Sequence, residues 1–370
     1  MSNEQIKTLS SNQLDIAAKI LTKLHELGQE ADFVKPVSEG PIITGYRLMP
    51  KNSTRVSHLE SLASDFAVAL AVEDVMVKRM PGDSAVTVFV PNQERTYIKF
   101  TDTVTNVWKV KDVQKIPLNL GVDSLGNSVV VDLVELPHLL IAGSTGAGKS
   151  TLLASILASL IYCVESSRLQ IILSDTKQVE FGHFIGAPHL LFEPATSVYQ
   201  TLERMDWLID EMDNRLKKLA KLGQRNITEH NEHSSGSAAW PYILLCIDEV
   251  ADLLAYKGEK RGESKISQEK ISKLASKARA SGIHIIAATQ RPSVDIINGV
   301  IKANFPARLS FRLPSGADSR TVLSTEGAEH LLSRGDMLFI NPNKAGLARL
   351  HAPFARIEDI RAAVDAACRR

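Results

Sequence analysis

The chemistry of this chain centres on residues 143–151, which read Gly-Ser-Thr-Gly-Ala-Gly-Lys-Ser-Thr. They fit the pattern G-x-x-x-x-G-K-[ST], in which a glycine-rich loop turns backbone N–H groups towards phosphates. In that pattern Lys149 contacts the β- and γ-phosphates and the Ser150 hydroxyl ligates Mg²⁺. The alternative is a glycine-rich turn that matches by chance. The predicted nucleotide contacts are Gly143, Ser144, Thr145, Gly146, Ala147, Gly148, Lys149, Ser150 and Thr151.

The segments on either side of this loop favour a nucleotide site. The apolar run 139–142 predicts a strand before the loop, and apolar residues recur at helical spacing over 152–161 after it. A helix that starts at the loop directs its N-terminal dipole at the phosphates. We therefore expect the chain to hydrolyse a nucleoside triphosphate.

Two adjacent acids, Asp248 and Glu249, follow a second apolar run at 242–247. In P-loop enzymes an acid after such a strand holds the Mg²⁺ shell, which predicts Asp248 as a metal ligand. Glu249 is then placed to polarise the attacking water. A solvated acidic strand end is the alternative interpretation.

Three further polar residues follow predicted strands. Gln290 comes after the apolar run 283–289, and ligands of open α/β sheets gather where such strands end. Gln290 is therefore a candidate for sensing the γ-phosphate or orienting water, although an ordinary loop glutamine is the alternative. Asp175 and Lys177 follow the run 169–174 but belong to no specific motif, so they are candidates only.

The composition is that of an ordinary globular protein, with 44% hydrophobic and 23% charged residues and a formal net charge of +1. The three cysteines lack metal-ligand spacing, which indicates neither disulfides nor zinc. His230 and His233 could bind a metal, but solvated loop histidines are the simpler interpretation. No apolar run is long enough to span a membrane and the N-terminus is not signal-like, so we expect a cytoplasmic protein.

The pattern of elements predicts an α/β protein in three parts. A small α+β domain covers 1–110, with helices at 11–28 and 56–71 and strands at 40–49 and 85–90. A connecting β-ribbon covers 111–136. Over 137–370, strands alternate with helices, which predicts a mainly parallel sheet with helices on both faces. Within it, 196–222 is a long amphipathic helix and 229–239 an exposed loop.

Several longer motifs resemble the bacterial FtsK/SpoIIIE DNA translocases. Besides residues 137–150, they are 247–253 (IDEVADL), 277–284 (KARASGIH) and 288–295 (ATQRPSVD), and the segment 40–44 (GPIIT) is similar to the family's small α domain. The resemblance implies a RecA-like motor domain that uses ATP and Mg²⁺. It also implies a homo-hexameric ring that moves double-stranded DNA through a central channel.

The resemblance assigns roles to four more residues. Arg279 matches the position of an arginine finger that a neighbouring subunit supplies. Thr289, Arg291 and Arg320 match residues that contact DNA phosphates in the channel, and phosphate contacts carry no sequence information. Gly316 stands where relatives often have a lysine, which predicts a weaker grip by this second loop.

The same resemblance does not decide whether the chain is a whole translocase or part of a longer one. The chain lacks the family's membrane anchor and has no room for its C-terminal winged-helix module, so we expect the bare motor, either as a fragment or as a natural short translocase. A conjugation or secretion ATPase that moves protein or nucleoprotein is one alternative. A nucleotide-binding scaffold with little turnover is the other.

Overall fold

The structure is a computed structural model that describes residues 10–51, 54–79, 83–234, 238–256 and 263–370. Two sheets organise these residues. A four-stranded antiparallel sheet with the order β1-β2-β4-β3 belongs to the N-terminal part, and a nine-stranded mixed sheet forms the rest. The two sheets correspond to the small and large domains that the sequence predicts.

The small domain packs three helices against its sheet. Its elements are α1 (Ser11–Glu26), β1 (Ala31–Glu39), β2 (Ile43–Pro50), α2 (Val56–Ser61), α3 (Ala63–Leu70), β3 (Met76–Arg79) and β4 (Val86–Pro91). Ser10 and Gln13 form a capping box that starts α1. The helix predicted over 56–71 is two helices that meet at Leu62, whose ψ of 8° departs from helical geometry. Strands β1 and β3 were not predicted.

The segment predicted as a connecting ribbon belongs to the large sheet. It forms a hairpin of β5 (Pro117–Asp123) and β6 (Ser128–Asp132), which follows α4 (Phe100–Val110). The Asp123 carboxylate accepts hydrogen bonds from the amides of Leu125 (2.8 Å) and Asn127 (2.9 Å) and so closes the turn. Strand β5 pairs with β13 (Leu347–His351). The hairpin is therefore part of the large sheet and is not a separate connection between two domains.

Five parallel strands form half of the large sheet. They are β7 (His138–Ala142), β8 (Leu169–Ser174), β9 (Tyr242–Ile247), β10 (Ile283–Thr289) and β11 (Ala307–Phe311), in the order β11-β7-β10-β9-β8. Strand β12 (Asp336–Ile340) and then β13 continue the sheet antiparallel beyond β11. The prediction of a mainly parallel sheet is confirmed for the strands that carry the predicted site, whereas the antiparallel pairing of the other four strands was not predicted.

Helices cover both faces of this sheet. They are α5 (Lys149–Cys163), α6 (Val198–Leu222), α7 (Ile227–His233), α8 (Val250–Ala255), α9 (Glu263–Lys277), α10 (Gly299–Asn304), α11 (Gly316–Leu323) and α12 (Ile357–Cys368). Leu139 and Ile141 of β7 pack into the core formed with α5 and α12, whereas Leu140 and Ala142 pack into the opposite core with α6 and α9. Because the strand is buried on both sides, its sequence is continuously apolar.

The predicted exposed loop at 229–239 begins as helix α7, with Asn226 as its N-cap. His230 is buried, bonds Gln224 at 2.8 Å and lies against the Trp240 ring at 3.9 Å between centroids. Packing therefore accounts for His230. Within the described residues no group of three or more His, Cys, Asp or Glu side chains is arranged to hold a metal, and 235–237 of the predicted loop lie outside those residues.

The small domain contacts the large one through two ion pairs. Glu73 pairs with Arg312, which follows β11, at 3.2 Å. Asp74 pairs with His330 in a 3-10 turn at 3.2 Å, and this partner raises the pKa of His330 above its usual value. Both acids come from the short link between α3 and β3.

Candidate active site

The phosphate loop lies between β7 and α5, at the carboxyl edge of the parallel strands. Two of its glycines have close neighbours, and a Cβ on Gly143 would lie 2.8 Å from Cβ of Phe311. Gly148 has a φ of 122°, and a Cβ there would lie 2.9 Å from the amide nitrogen of Gly335. The Gly335 amide also donates to the Ala147 carbonyl at 3.0 Å. Residues that precede β12 therefore fix the shape of the loop.

Lys149 and Asp248 meet in the interior of the site. The Lys149 ammonium lies 2.5 Å from Oδ1 of Asp248 and donates to the backbone carbonyl of the same residue at 2.7 Å. Both side chains are buried. The structure thus brings the predicted phosphate ligand against the predicted metal ligand, at the point where β9 ends.

The Ser150 hydroxyl donates to Oε1 of Glu180 at 2.6 Å. Glu180 lies on the loop after β8, and the buried Asp175 carboxylate shapes that loop by accepting from the amides of Val179 (3.2 Å), Glu180 (2.9 Å) and Phe181 (2.9 Å). Asp175, a candidate without an assigned role, therefore positions the loop. Sequence reasoning missed Glu180, although its place shortly after a parallel strand was the available signal.

Glu249 is 2% exposed and has its carboxylate fully engaged. Oε1 accepts from the Thr289 hydroxyl at 2.6 Å, and Oε2 accepts from the Gln290 amide at 3.1 Å. Lys177 pairs with Oε2 at 3.3 Å. These three partners hold the carboxylate in one orientation.

Thr289 requires a correction. The resemblance implied that it contacts DNA, but the residue is completely buried and its hydroxyl is bonded to Glu249. Because β10 ends beside β9, the last residue of one strand reaches the acid that follows the other. The structure therefore places Thr289 in the active site and not at a DNA surface.

Gln290 lies where the sequence predicts it. Its Oε1 accepts from the hydroxyl of Thr145 in the phosphate loop at 3.0 Å, and its amide donates to Glu249. One residue thus contacts both the loop and the predicted water-activating acid.

The oxygen atoms of this site suit Mg²⁺, which prefers hard oxygen ligands. Ser150 offers a hydroxyl and Asp248 a carboxylate, as the sequence predicts, and Glu180 adds a second carboxylate bonded to Ser150. The donor set that the structure assembles is therefore compatible with the predicted ion.

Arg279 does not meet these residues. It is exposed in the 3-10 turn Ala278–Ser281, immediately before β10, and its side chain makes no hydrogen bond or ion pair with any described residue. Strand β10 runs from this turn to Thr289, and seven residues of strand span ~23 Å. Arg279 and the phosphate loop are therefore at opposite edges of the sheet.

The two predicted arginine contacts to DNA are both exposed. Arg291 follows the active-site residues directly, and its side chain makes no hydrogen bond or ion pair within the described residues. Arg320 of α11 pairs with Glu326. Exposed ion pairs of this kind contribute little free energy to stability. Arg320 can therefore exchange Glu326 for a phosphate with only a small loss of free energy. Gly316 is the first residue of α11, close to the carboxylates of Glu326 and Glu329.

Comparison with known proteins shows what the chain is related to. Residues 104–294 match the FtsK/SpoIIIE family, and residues 1–92 match the FtsK alpha domain. The chain belongs to the FtsK/SpoIIIE family. This confirms the resemblance seen in the motifs.

Curated relatives match along nearly the whole chain. A protein named DNA translocase FtsK from Helicobacter pylori (strain J99) is 36% identical over 362 residues, which cover 97% of this chain and 42% of that protein. Another protein of that name, from Rickettsia prowazekii (strain Madrid E), is 34% identical over 97% of this chain and 51% of its own length. The chain therefore spans about half the length of these relatives.

Solved structures confirm a RecA-like P-loop fold. The conjugation coupling protein TcpA of pCW3, in a monomer form with ATPγS, superposes with a TM-score of 0.65 and 23% identity, and covers 96% of this chain and 100% of that one. The cytoplasmic domain of the Type VII secretion ATPase EccC of Thermomonospora curvata has a TM-score of 0.62 and 20% identity, over 74% of this chain and 34% of that one. No helix in the described ranges has both the length and the apolar character to cross a bilayer.

Proposed function

We propose that the chain is the motor part of an ATP-driven translocase of double-stranded DNA. It acts as a homo-hexameric ring and without preference for sequence. The observation that carries this proposal is that an exposed arginine, Arg291, directly follows Gln290, which contacts both Glu249 and the phosphate loop. Membership of a family with relatives named DNA translocase supports the choice of DNA.

Each residue of the candidate active site has a separate role in hydrolysis. Lys149 exchanges Asp248 for the β- and γ-phosphates of ATP, while Ser150 and Asp248 hold Mg²⁺, which neutralises charge on the phosphates when bound. Glu249 polarises the attacking water once its carboxylate leaves Thr289. Gln290, bonded to Thr145, senses whether the γ-phosphate is present.

The position of Arg279 supports a ring. An arginine that stabilises the transition state raises the rate of phosphoryl transfer by several orders of magnitude. Arg279 cannot supply this charge to its own phosphate loop across ~23 Å of sheet. A neighbouring subunit that turns its Arg279 edge towards the loop completes the site.

Phosphate contacts account for binding without sequence preference. Arg291 and Arg320 are exposed cations, and contacts from such groups to DNA phosphates fix position without reading bases. The net charge of +1 does not oppose this, since a ring needs only a local circle of basic groups.

The deciding experiment measures steady-state ATP hydrolysis with and without long linear double-stranded DNA, with Lys149→Ala as the blank. Strong stimulation by duplex DNA, followed by displacement of a bound triplex strand, is the expected result. Hydrolysis indifferent to DNA would contradict the proposal and favour an ATPase that moves protein or nucleoprotein. ATP binding without turnover would favour a nucleotide-dependent scaffold.

A further inference from the structure

A cavity of about 790 Å³ opens from the phosphate loop. One side is formed by loop residues such as Gly148 and Lys149, and another by two aromatic side chains, Tyr97 and Phe354. The loop motif reads phosphates, so a bound nucleotide must find contacts for its base elsewhere. The cavity continues from the phosphate site to those two rings.

The segments that carry the two rings are fixed to each other. The Phe354 amide donates to the Ile98 carbonyl at 2.8 Å, and the Phe100 amide donates to the Phe354 carbonyl at 3.1 Å. Tyr97 is adjacent in sequence to this pair of bonds. The positions of both aromatic residues are therefore set by backbone contacts across the cavity wall.

The same wall is seated on the helix that follows the phosphate loop. The Ser155 hydroxyl donates to the Pro353 carbonyl at 2.9 Å and accepts from the Ala355 amide at 3.2 Å. Ser155 lies six residues after Lys149, which is ~9 Å along the axis of α5. Phe354 thus lies about two turns along α5 from Lys149, in the lining of the same cavity.

Tyr97 and Phe354 are 51% and 52% exposed. Aromatic residues usually bury their large apolar area, so two half-exposed rings that line one cavity provide faces for a planar ligand. Stacking on such rings accepts any base, because every base has a π-face.

Arg334 links this wall to the phosphate loop. Its φ of 68° is in the left-handed region, which is uncommon for a residue other than glycine. Its guanidinium donates to the Tyr97 hydroxyl at 2.9 Å, and the next residue, Gly335, donates to Ala147 in the loop. Backbone strain of this kind is typical of ligand sites.

We propose that Tyr97 and Phe354 bind the base of the nucleoside triphosphate by stacking and that Arg334 positions the Tyr97 ring. The inference rests on the proposed nucleotide hydrolysis and adds how the base is held. Among the described residues, the buried side-chain nitrogen and oxygen atoms without a partner all lie outside this cavity. Stacking discriminates little between bases, so we expect ATP and GTP to bind with affinities within about tenfold of each other.

Calorimetric titration with ATPγS and with inorganic tripolyphosphate separates the base site from the phosphate site. Tyr97→Ala and Phe354→Ala each weaken ATPγS binding roughly tenfold, because each removes one stacking surface. Tripolyphosphate affinity stays at the wild-type value. Phe354→Tyr keeps its ring and is the matched control, with ATPγS affinity close to wild type. Tyr97→Phe keeps the ring but loses the hydrogen bond from Arg334, so it weakens ATPγS binding by less than Tyr97→Ala does.

Three results would overturn the base site while leaving nucleotide binding in place. They are unchanged ATPγS affinity in both alanine variants, an equal loss of tripolyphosphate affinity, and a wild-type protein that binds the two ligands equally well. An affinity for ATP more than a hundred times higher than that for GTP would overturn the proposal that the base is held by stacking. A wild-type protein that binds neither ligand would instead refute the proposed nucleotide function itself.

Discussion

The hydroxyl of Thr289 donates a 2.6 Å hydrogen bond to Oε1 of Glu249. The same hydroxyl oxygen accepts from the amide of Arg291 at 3.0 Å. A buried threonine therefore connects the predicted water-activating acid to the exposed arginine proposed to contact DNA. We therefore expect a shift of the Arg291 backbone, when its side chain binds a phosphate, to change the hydrogen bonds that hold Glu249.

Thr289→Val keeps the shape of the side chain and removes the hydroxyl. We expect hydrolysis without DNA to rise roughly ten- to a hundredfold, since a hydrogen bond to a charged group contributes ~1.5–3 kcal/mol and its loss frees Glu249. The ratio of rates with and without DNA falls accordingly. Thr289→Ser, which keeps the donor, is the control. Equal loss of hydrolysis in both conditions would show that the hydroxyl supports catalysis and does not restrain the acid.

Glu249→Gln removes the carboxylate and keeps the size of the side chain. ATP binding persists, while kcat falls at least ~100-fold, as expected for loss of a general base. Asp252→Asn tests a nearby carboxylate that only accepts from Thr176 at 2.8 Å, and it retains most of the activity. Single-turnover hydrolysis measured beside equilibrium binding distinguishes the two steps, and normal turnover in Glu249→Gln would remove Glu249 from its role.

Arg279→Ala leaves ATP affinity unchanged and abolishes hydrolysis, because the charge it supplies acts on a neighbouring site. Mixing this variant with Lys149→Ala restores part of the activity, since some interfaces then combine an intact loop with an intact arginine. Arg225→Ala is the control, because it removes an arginine side chain that is 89% exposed. It hydrolyses ATP at the wild-type rate without being mixed with a second variant. Failure of the mixture to recover any activity, although mixed rings form, would indicate a local role for Arg279.

Arg291→Ala weakens binding to duplex DNA and reduces the slope of log K against log salt concentration by about 0.9 per subunit contact, because one phosphate contact is lost. The loss is the same for DNA of different sequences. Fluorescence anisotropy at several salt concentrations measures both quantities. An unchanged slope would show that Arg291 does not contact the phosphates. Arg225→Ala again provides a surface arginine for comparison.

The contact between His330 and Asp74 makes domain docking depend on pH. Asp74 raises the pKa of His330, so the stability that this pair contributes is complete below the ordinary histidine pKa of ~6.5 and is lost as pH rises through the folded value. The contribution stays below ~1 kcal/mol because the pair is partly exposed.

Urea unfolding from pH 5.5 to 8.5 tests this pair. The difference in unfolding free energy between wild type and His330→Gln shrinks towards high pH. A difference that is constant across the range would show that protonation of His330 does not contribute. Arg312→Gln, which breaks the neighbouring pair with Glu73 and keeps both His330 and Asp74, is the control variant.

Sequence predicted the parts of the site that follow apolar strands. Asp248 and Gln290 each come directly after such a run, Lys149 ends the glycine-rich loop that follows another, and parallel strands bring their carboxyl ends to one edge. Contacts between distant segments were not predictable in this way. Arg334 and Tyr97 are 237 residues apart, and no local pattern joins them. Thr289 was misjudged because its register beside β9, which the structure supplies, decides whether it faces solvent.

The same limit applies to the fold. The apolar runs of β7 to β10 are unmistakable because both faces of these strands are buried. Strands β1 and β3 lie at the edges of the small sheet, where one face or one side is open and the pattern is weak. The break at Leu62 depends on packing, which the helical spacing of residues 56–71 does not reveal.

The Asp175 carboxylate, which accepts from three successive amides, has a consequence for how readily the site responds to nucleotide. The bonds that order the backbone of the turn carrying Lys177 and Glu180 therefore come from the protein itself. Ordering the backbone of one residue costs ~1–2 kcal/mol of conformational entropy. In this turn that entropy is lost when the protein folds and not when the ligand binds. Ligand association then needs only side-chain rearrangement, which favours affinity through preorganisation.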